Sequence, residues 1–428
     1  MRTRRPGLGR DARLLIAGQG VRAAGYGFTA VLLGALLAAR GYTPLQVGLV
    51  LTALIAGTAL ASLAVGAFAD RIGRRRCYGL FFAGIAVAGL VVAAGAPLWV
   101  LLLVAVTGTL STDVVDNGPA TTLEQVMLAA EDAGTARVFG RYNMVGAAAG
   151  ALGALAVTLP GLGRSGHAGP DSWLFAVLVP VGVAGVLVAW RLSPAVEAAR
   201  ATGSDGERPA RSRLGKSRPV VRRMAALFAI DAGGSGLVTT GFLSYYLTER
   251  YHAPVAALGW LFFAVSVVQA VSVALAPLLA RRFGLVATMV GTHLPSNLLL
   301  ASVAFAPTFP VAAALLLART TLSQMDVPTR QALVMAAVTP DEQTQAAAVT
   351  NAARYTVRPL GPLVAGAVQQ VALGAPLIIA GAVKAGYDVA LWRWARRLPL
   401  TSTGSAGPPA GGGVAADAAA APPSGSPR

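Results

Sequence analysis

Nearly the whole chain alternates between apolar stretches of about 20 residues and short breaks rich in turn-forming or charged residues. A stretch of that length matches the hydrocarbon thickness of a bilayer when it is helical. Only a helix satisfies its own backbone in lipid without neighbouring strands. Twelve spans are read: 14–38, 45–69, 78–96, 98–120, 138–160, 172–191, 223–247, 255–280, 285–306, 309–329, 344–370 and 375–395. Gly41-Tyr42-Thr43-Pro44, Ala96-Pro97, Leu159-Pro160-Gly161 and Ala306-Pro307 punctuate them. The charged share agrees: it is 12%, against about a quarter in soluble domains.

The arginines test this span count. With the N-terminus in the cytoplasm, 27 Lys and Arg fall on the cytoplasmic side, and only Arg40, Arg164 and Arg250 fall on the other. Cytoplasmic loops carry such an excess. The net charge of +17 therefore serves topology and does not imply nucleic acid. Arg exceeds Lys 33 to 2, a coding bias read as that of a GC-rich bacterial genome. The expectation is a multi-pass protein of a bacterial inner membrane with both termini cytoplasmic. Its parts are a basic N-terminus (1–13), a first six-helix bundle (14–191), a basic linker (192–222), a second bundle (223–396) and a disordered tail (397–428). A single Cys77 and three scattered histidines give no disulfide, metal cluster or cofactor site. No nucleophile–base pair suggests an enzyme, so no catalytic residue is expected.

The halves repeat weakly. Gly66-Ala67-Phe68-Ala69-Asp70-Arg71-Ile72-Gly73-Arg74-Arg75 closes the second span, and Ala276-Pro277-Leu278-Leu279-Ala280-Arg281-Arg282-Phe283-Gly284 closes the eighth. Met127, Asn143 and Leu152-Gly153 recur as Met335, Asn351 and Leu360-Gly361. Such repeats accompany transporters that alternate access about a central site.

Residues 66–75 resemble the major facilitator superfamily motif G-x-x-x-D-R-x-G-R-R/K, with Gly66, Asp70, Arg71, Gly73, Arg74 and Arg75 at its fixed places. The resemblance extends over residues 12–396. It implies an all-α membrane protein of twelve helices in two pseudo-symmetric six-helix bundles. It also implies an ion gradient or uniport in place of ATP, and a cytoplasmic gate locked by Asp70, Arg71 and Arg74. Gly146, Gly150 and Gly153 partly match the family's exporter pattern on span five, without its proline; the same spacing also packs helices.

Ionisable residues at membrane depth are costly and tend to be functional. Arg22, Arg319, Arg354, Arg358 and Lys384 face Asp113, Asp116, Asp231, Asp326 and Asp388 in this inventory. Asp113 and Asp116 lie three apart on one helical face, where two close carboxylates raise one proton affinity. They are the expected proton-coupling pair, with Arg22 as partner; a gate salt bridge is the structural alternative. Glu124 is placed at the cytoplasmic interface. Arg319, Ser323, Asp326 and Arg330 share a face of span ten. Arg354 and Arg358 need an anion, either Asp231, Asp326 or an acidic substrate. Lys384 and Asp388, four apart, are expected to satisfy each other. His293, Pro295 and Asn297 are read as a kink with local hydrogen bonds. The leading function is proton-coupled export of a small molecule by a monomer. The alternatives are proton-coupled uptake of a metabolite such as an organic anion, and a non-transporting sensor on the same fold.

Overall fold

The computed structural model describes residues 8–112, 118–129, 135–159, 171–198, 214–215, 217–339 and 342–396. The described residues are helical and hold no strand. In the first half the helices are α1 (Arg10–Ala39), α2 (Pro44–Ile72), α3 (Arg74–Ala93), α4 (Leu98–Val106), α5 (Pro119–Ala129), α6 (Thr135–Ala156), α7 (Leu178–Arg191, led by a 3-10 turn at Ser172–Val177) and the short α8 (Ala195–Ala198). In the second half they are α9 (Arg218–Gly236), α10 (Thr240–Tyr251), α11 (Val255–Phe283), α12 (Leu285–Val303), α13 (Phe309–Ser323), α14 (Asp326–Ala336), α15 (Gln343–Val357), α16 (Leu360–Gln369) and α17 (Ala375–Ala395). Among the described residues, eight stretches are long and apolar enough to cross a bilayer. The remaining traverses include three in two pieces: α4 with α5, α13 with α14, and α15 with α16. The pair α9–α10, also divided, counts among the eight. This is a twelve-span all-α architecture.

Local chemistry sets the boundaries. Thr43 and Gln46 form a reciprocal capping box at the start of α2, with Pro44 in its first turn. Gly73, at φ +100°, joins α2 to α3, and Gly284, at φ +84°, joins α11 to α12 at the equivalent place. Pro328 removes the N–H that would bond to Gln324 and crowds its carbonyl, so span ten breaks between α13 and α14. Pro359 does the same between α15 and α16. Residues 218–222, expected to be linker, already belong to α9.

The packing repeats between halves: α1 on α6 matches α9 on α15, and α3 on α7 matches α12 on α17. Across the halves, α1 meets α10, α2 meets α16 and α6 meets α11. These contacts gather at the face opposite the arginine-rich loops. There Gly34 lies against Gly241, and the Ser244 hydroxyl donates to the Val31 carbonyl at 2.6 Å. Gly48 and Gly366 let α2 and α16 touch; a Cβ on Gly48 would fall 2.5 Å from the Pro362 oxygen. The apolar cores show the same asymmetry. One core runs through the first half and joins the far end of the second, whereas Val221, Phe228, Met289, Leu333 and Leu391 belong to a separate core near the arginine-rich face. The halves are thus joined at one face and separate toward the other.

Candidate functional site: a cationic cavity beside a buried ion network

Three helix breaks converge on a central cavity of about 340 Å³ between the halves. Val238, Thr239 and Thr240 at the α9–α10 break, Gln324 after α13, and Arg358 before α16 all line it. Irregular backbone at membrane depth is tolerated where it lines a cavity, and half-helix N-termini there attract anions. Thr239 caps α10, its hydroxyl accepting from the Phe242 N–H at 3.3 Å. The N-terminal end of α10 is thus at the cavity wall. Arg319 enters the lining from α13, about 15 Å from that helix's outer end. Its Nε is buried with no hydrogen-bond partner. No acidic side chain stands among the described lining residues.

Behind this wall lies a network that draws on α9, α12, α14, α15 and α17. Asp231 is 2% exposed. Its Oδ1 accepts from Lys384 Nζ at 2.6 Å, and its Oδ2 lies 3.2 Å from Arg354 and 3.5 Å from Arg330. Arg330 also meets Asp326 at 2.6 Å, one turn away. Lys384 donates further to Ser235, a cavity-lining residue, at 2.7 Å. His293 Nδ1 lies 2.8 Å from Asp388 Oδ1, and the Asn297 amide donates to Asp388 Oδ2 at 2.8 Å.

Several expectations change here. Lys384 and Asp388 do not pair with each other, because α17 lies between α9 and α12 and the two side chains turn to different neighbours. His293 and Asn297 meet locally, with Asn297 Nδ2 3.3 Å from His293 Nδ1, but both also bond across helices to Asp388, and α12 continues through Pro295. The shared face of Arg319, Ser323, Asp326 and Arg330 is divided by the break at Gln324: Arg319 goes to the cavity and Asp326 with Arg330 to the network. Of the five residues expected in a cavity or charge network, Arg319 and Arg358 line the cavity; Asp231, Asp326 and Arg354 form the network.

In the first half, Glu124 is fully buried rather than interfacial. It pairs with Arg22 at 2.9 Å and accepts from Tyr78 at 2.8 Å and Tyr142 at 2.5 Å. Arg22 also bonds Thr121 at 2.9 Å, and Gln19. A buried pair needs such extra bonds to offset its desolvation. Asp113 and Asp116 lie outside the described residues.

The motif residues sit at the arginine-rich end of α2 and α3. Arg74 Nε donates to Asp70 at 3.1 Å, and the Asp70 side chain is 55% exposed. The backbone N–H groups of Arg74 and Arg75, at the start of α3, both donate to the Glu197 carboxylate at 2.9 Å. That is the end of a helix dipole where an anion is favoured. Arg75 reaches the Trp190 carbonyl at 3.2 Å. Arg71 is exposed, and Gly66 has open space around it. The glycines of span five serve packing: a Cβ on Gly146 would fall 2.5 Å from the Gln19 amide, and Gly153 abuts Ala24 of α1.

Comparisons agree with this architecture. The chain is 27% identical over 391 residues to an uncharacterized membrane protein of Saccharomyces cerevisiae, covering 83% of this chain and 87% of that one. The solved nucleoside transporter NupG superposes with a TM-score of 0.69 at 14% identity, over 90% of this chain and 98% of its own. The human organic anion transporter MFSD10 does so at 0.57 and 19%, over 90% and 100%. At these identities the two structures speak for the fold alone. The family model described as Major Facilitator Superfamily matches residues 15–362. The chain is therefore a multi-pass transporter belonging to the major facilitator superfamily.

Proposed function

We propose that this chain is a secondary active transporter that moves a small organic anion by alternating access. The carrying observation is Arg319, a guanidinium near mid-membrane at a cavity whose described lining holds no carboxylate. The capped N-terminal end of α10 and the Thr239, Gln269 and Gln324 side chains add polar groups suited to a carboxylate or phosphate. Asp231 is already held by Lys384, Arg354 and Arg330, and so is not left to neutralise Arg319. The joined far face and separate arginine-rich cores support a state open toward the arginine-rich loops. We place those loops, and both termini, in the cytoplasm of a bacterial cell membrane. In the opposite state Asp70, Arg71 and Arg74 would lock the cytoplasmic end, the two six-helix halves rocking as units in a monomer. Asp113 and Asp116 remain proposed members of the path by which protons reach and leave the transport site.

Export by antiport is the second reading, supported by the partial match of Gly146, Gly150 and Gly153 to the family's exporter pattern, beside their role in packing. In everted vesicles an imposed proton gradient drives accumulation by an antiporter and not by a symporter. For the anion itself, purified protein is heated with succinate, citrate, benzoate, phosphate, xylose or uridine. An anion at about 100 times its Kd should stabilise the fold by about 2.7 kcal/mol, and Arg319→Gln should lose that gain. Stabilisation by xylose or uridine alone, unchanged in Arg319→Gln, overturns the anion reading.

A further inference from the structure

We propose that His293 and Asp388 form the proton-binding site of the transport cycle, a step that rests on the alternating-access reading above. Asp388 is fully buried between α17 and α12, and both its oxygens accept hydrogen bonds, from Asn297 and from the imidazole. A carboxylate so held takes the Nδ1 proton of a neutral His293 as its second bond. The other ring nitrogen, Nε2, then presents a lone pair 3.9 Å from Asp231 Oδ1. That is too long for a hydrogen bond and close enough for an added proton to be held by charge.

The charge balance gives the proton its effect. His293 meets Asp388 and Tyr387 on α17 and Asp231 on α9; Lys384 on α17, Arg330 on α14 and Arg354 on α15 reach it through Asp231, and Asp326 on α14 through Arg330. Arg319 contributes from α13, and α11 carries only Arg281 and Arg282, exposed at its end. Within the network, Asp231, Asp326 and Asp388 balance Arg330, Arg354 and Lys384 while the imidazole is neutral. One proton on Nε2, taken from water, leaves a net charge of +1. Protonated His293 competes with Lys384 for Asp231, and Lys384 is tied to Ser235 at the cavity wall. Proton uptake thereby makes the cavity more attractive to an anion, so the proton and the anion travel together.

The chain has three histidines, so ¹⁵N-histidine labelling gives three assignable signals, with His293→Gln identifying the one of interest. In purified wild-type protein that signal changes between neutral and acidic buffer, Asp388→Asn diminishes the change, and Asp388→Glu retains it. Spin labels at Ala67 and Leu278, exposed on α2 and α11, report the arginine-rich opening in a Cys77→Ser background. Their two distance populations change ratio with pH in wild type, and His293→Gln loses that response. A silent His293 signal, or a pH response that survives His293→Gln, overturns the proposal. The second of these outcomes leaves alternating access standing and moves the proton to other residues. A single pH-independent distance beside a titrating His293 also overturns the coupling. Failure of the anion reading would show separately, in the thermal panel.

Discussion

Arg22 and Glu124, at 1% and 0% exposure, are held 2.9 Å apart by α1 and α5. Removing one member of such a pair strands the other charge, at a cost of about 3–5 kcal/mol. Glu124→Ala should therefore lower the unfolding temperature in detergent sharply, and the double variant Arg22→Met with Glu124→Leu should recover most of it. A single variant as stable as wild type would show that the pair contributes nothing to the fold. Spacing along the spans named Arg22, Asp231, Asp326 and Arg354 as charges within them, and all four lie within helices. Their partners were not legible that way. Which carboxylate meets Arg22, or whether Lys384 turns to Asp388 or to Asp231, depends on which helices flank it. Glu124 falls in the second, separated piece of span four, so counting along one continuous helix misjudged its environment. The signal that could have found it is the pair of tyrosines, Tyr78 and Tyr142, available to satisfy a buried acid.

Two kinds of local feature decide how the helices are arranged. Prolines set breaks that open backbone toward the cavity: Pro328 and Pro359 were visible in the sequence, yet each span was read as one rod, because an apolar run gives no sign of where its hydrogen bonds stop. Glycines set close approach. Gly48 touches Gly366 where α2 meets α16. Leucine at Gly48 cannot fit against the Pro362 carbonyl without separating these helices. Gly48→Leu should therefore loosen the far face, raising labelling of a cysteine placed at Leu45 by a membrane-impermeant thiol reagent added from that side, and reducing transport. Unchanged labelling would mean that the α2–α16 contact does not seal that face.

For the molecule as a whole, the arrangement of spans was legible because two independent patterns, apolar length and arginine placement, point to the same twelve traverses. The family motif at residues 66–75 added the architecture, and the family match over residues 15–362 agrees with it. The central cavity was only partly legible: Arg319 and Arg358 were named, but that they share a cavity with three helix breaks is a property of the assembled halves. Topology is open to direct test. Reporter fusions at residues 205 and 425 should be active only as cytoplasmic reporters, and one at residue 165 only as an external reporter. The reverse pattern would invert the orientation assigned to the gate.

The account stands or falls on cargo charge. Protein reconstituted in liposomes, with the outside acidified, should take up a labelled carboxylate or phosphate from the stabilising panel saturably, and Arg319→Gln should abolish that uptake while keeping the protein folded. Uptake of a neutral sugar or nucleoside that is indifferent to Arg319→Gln would contradict it.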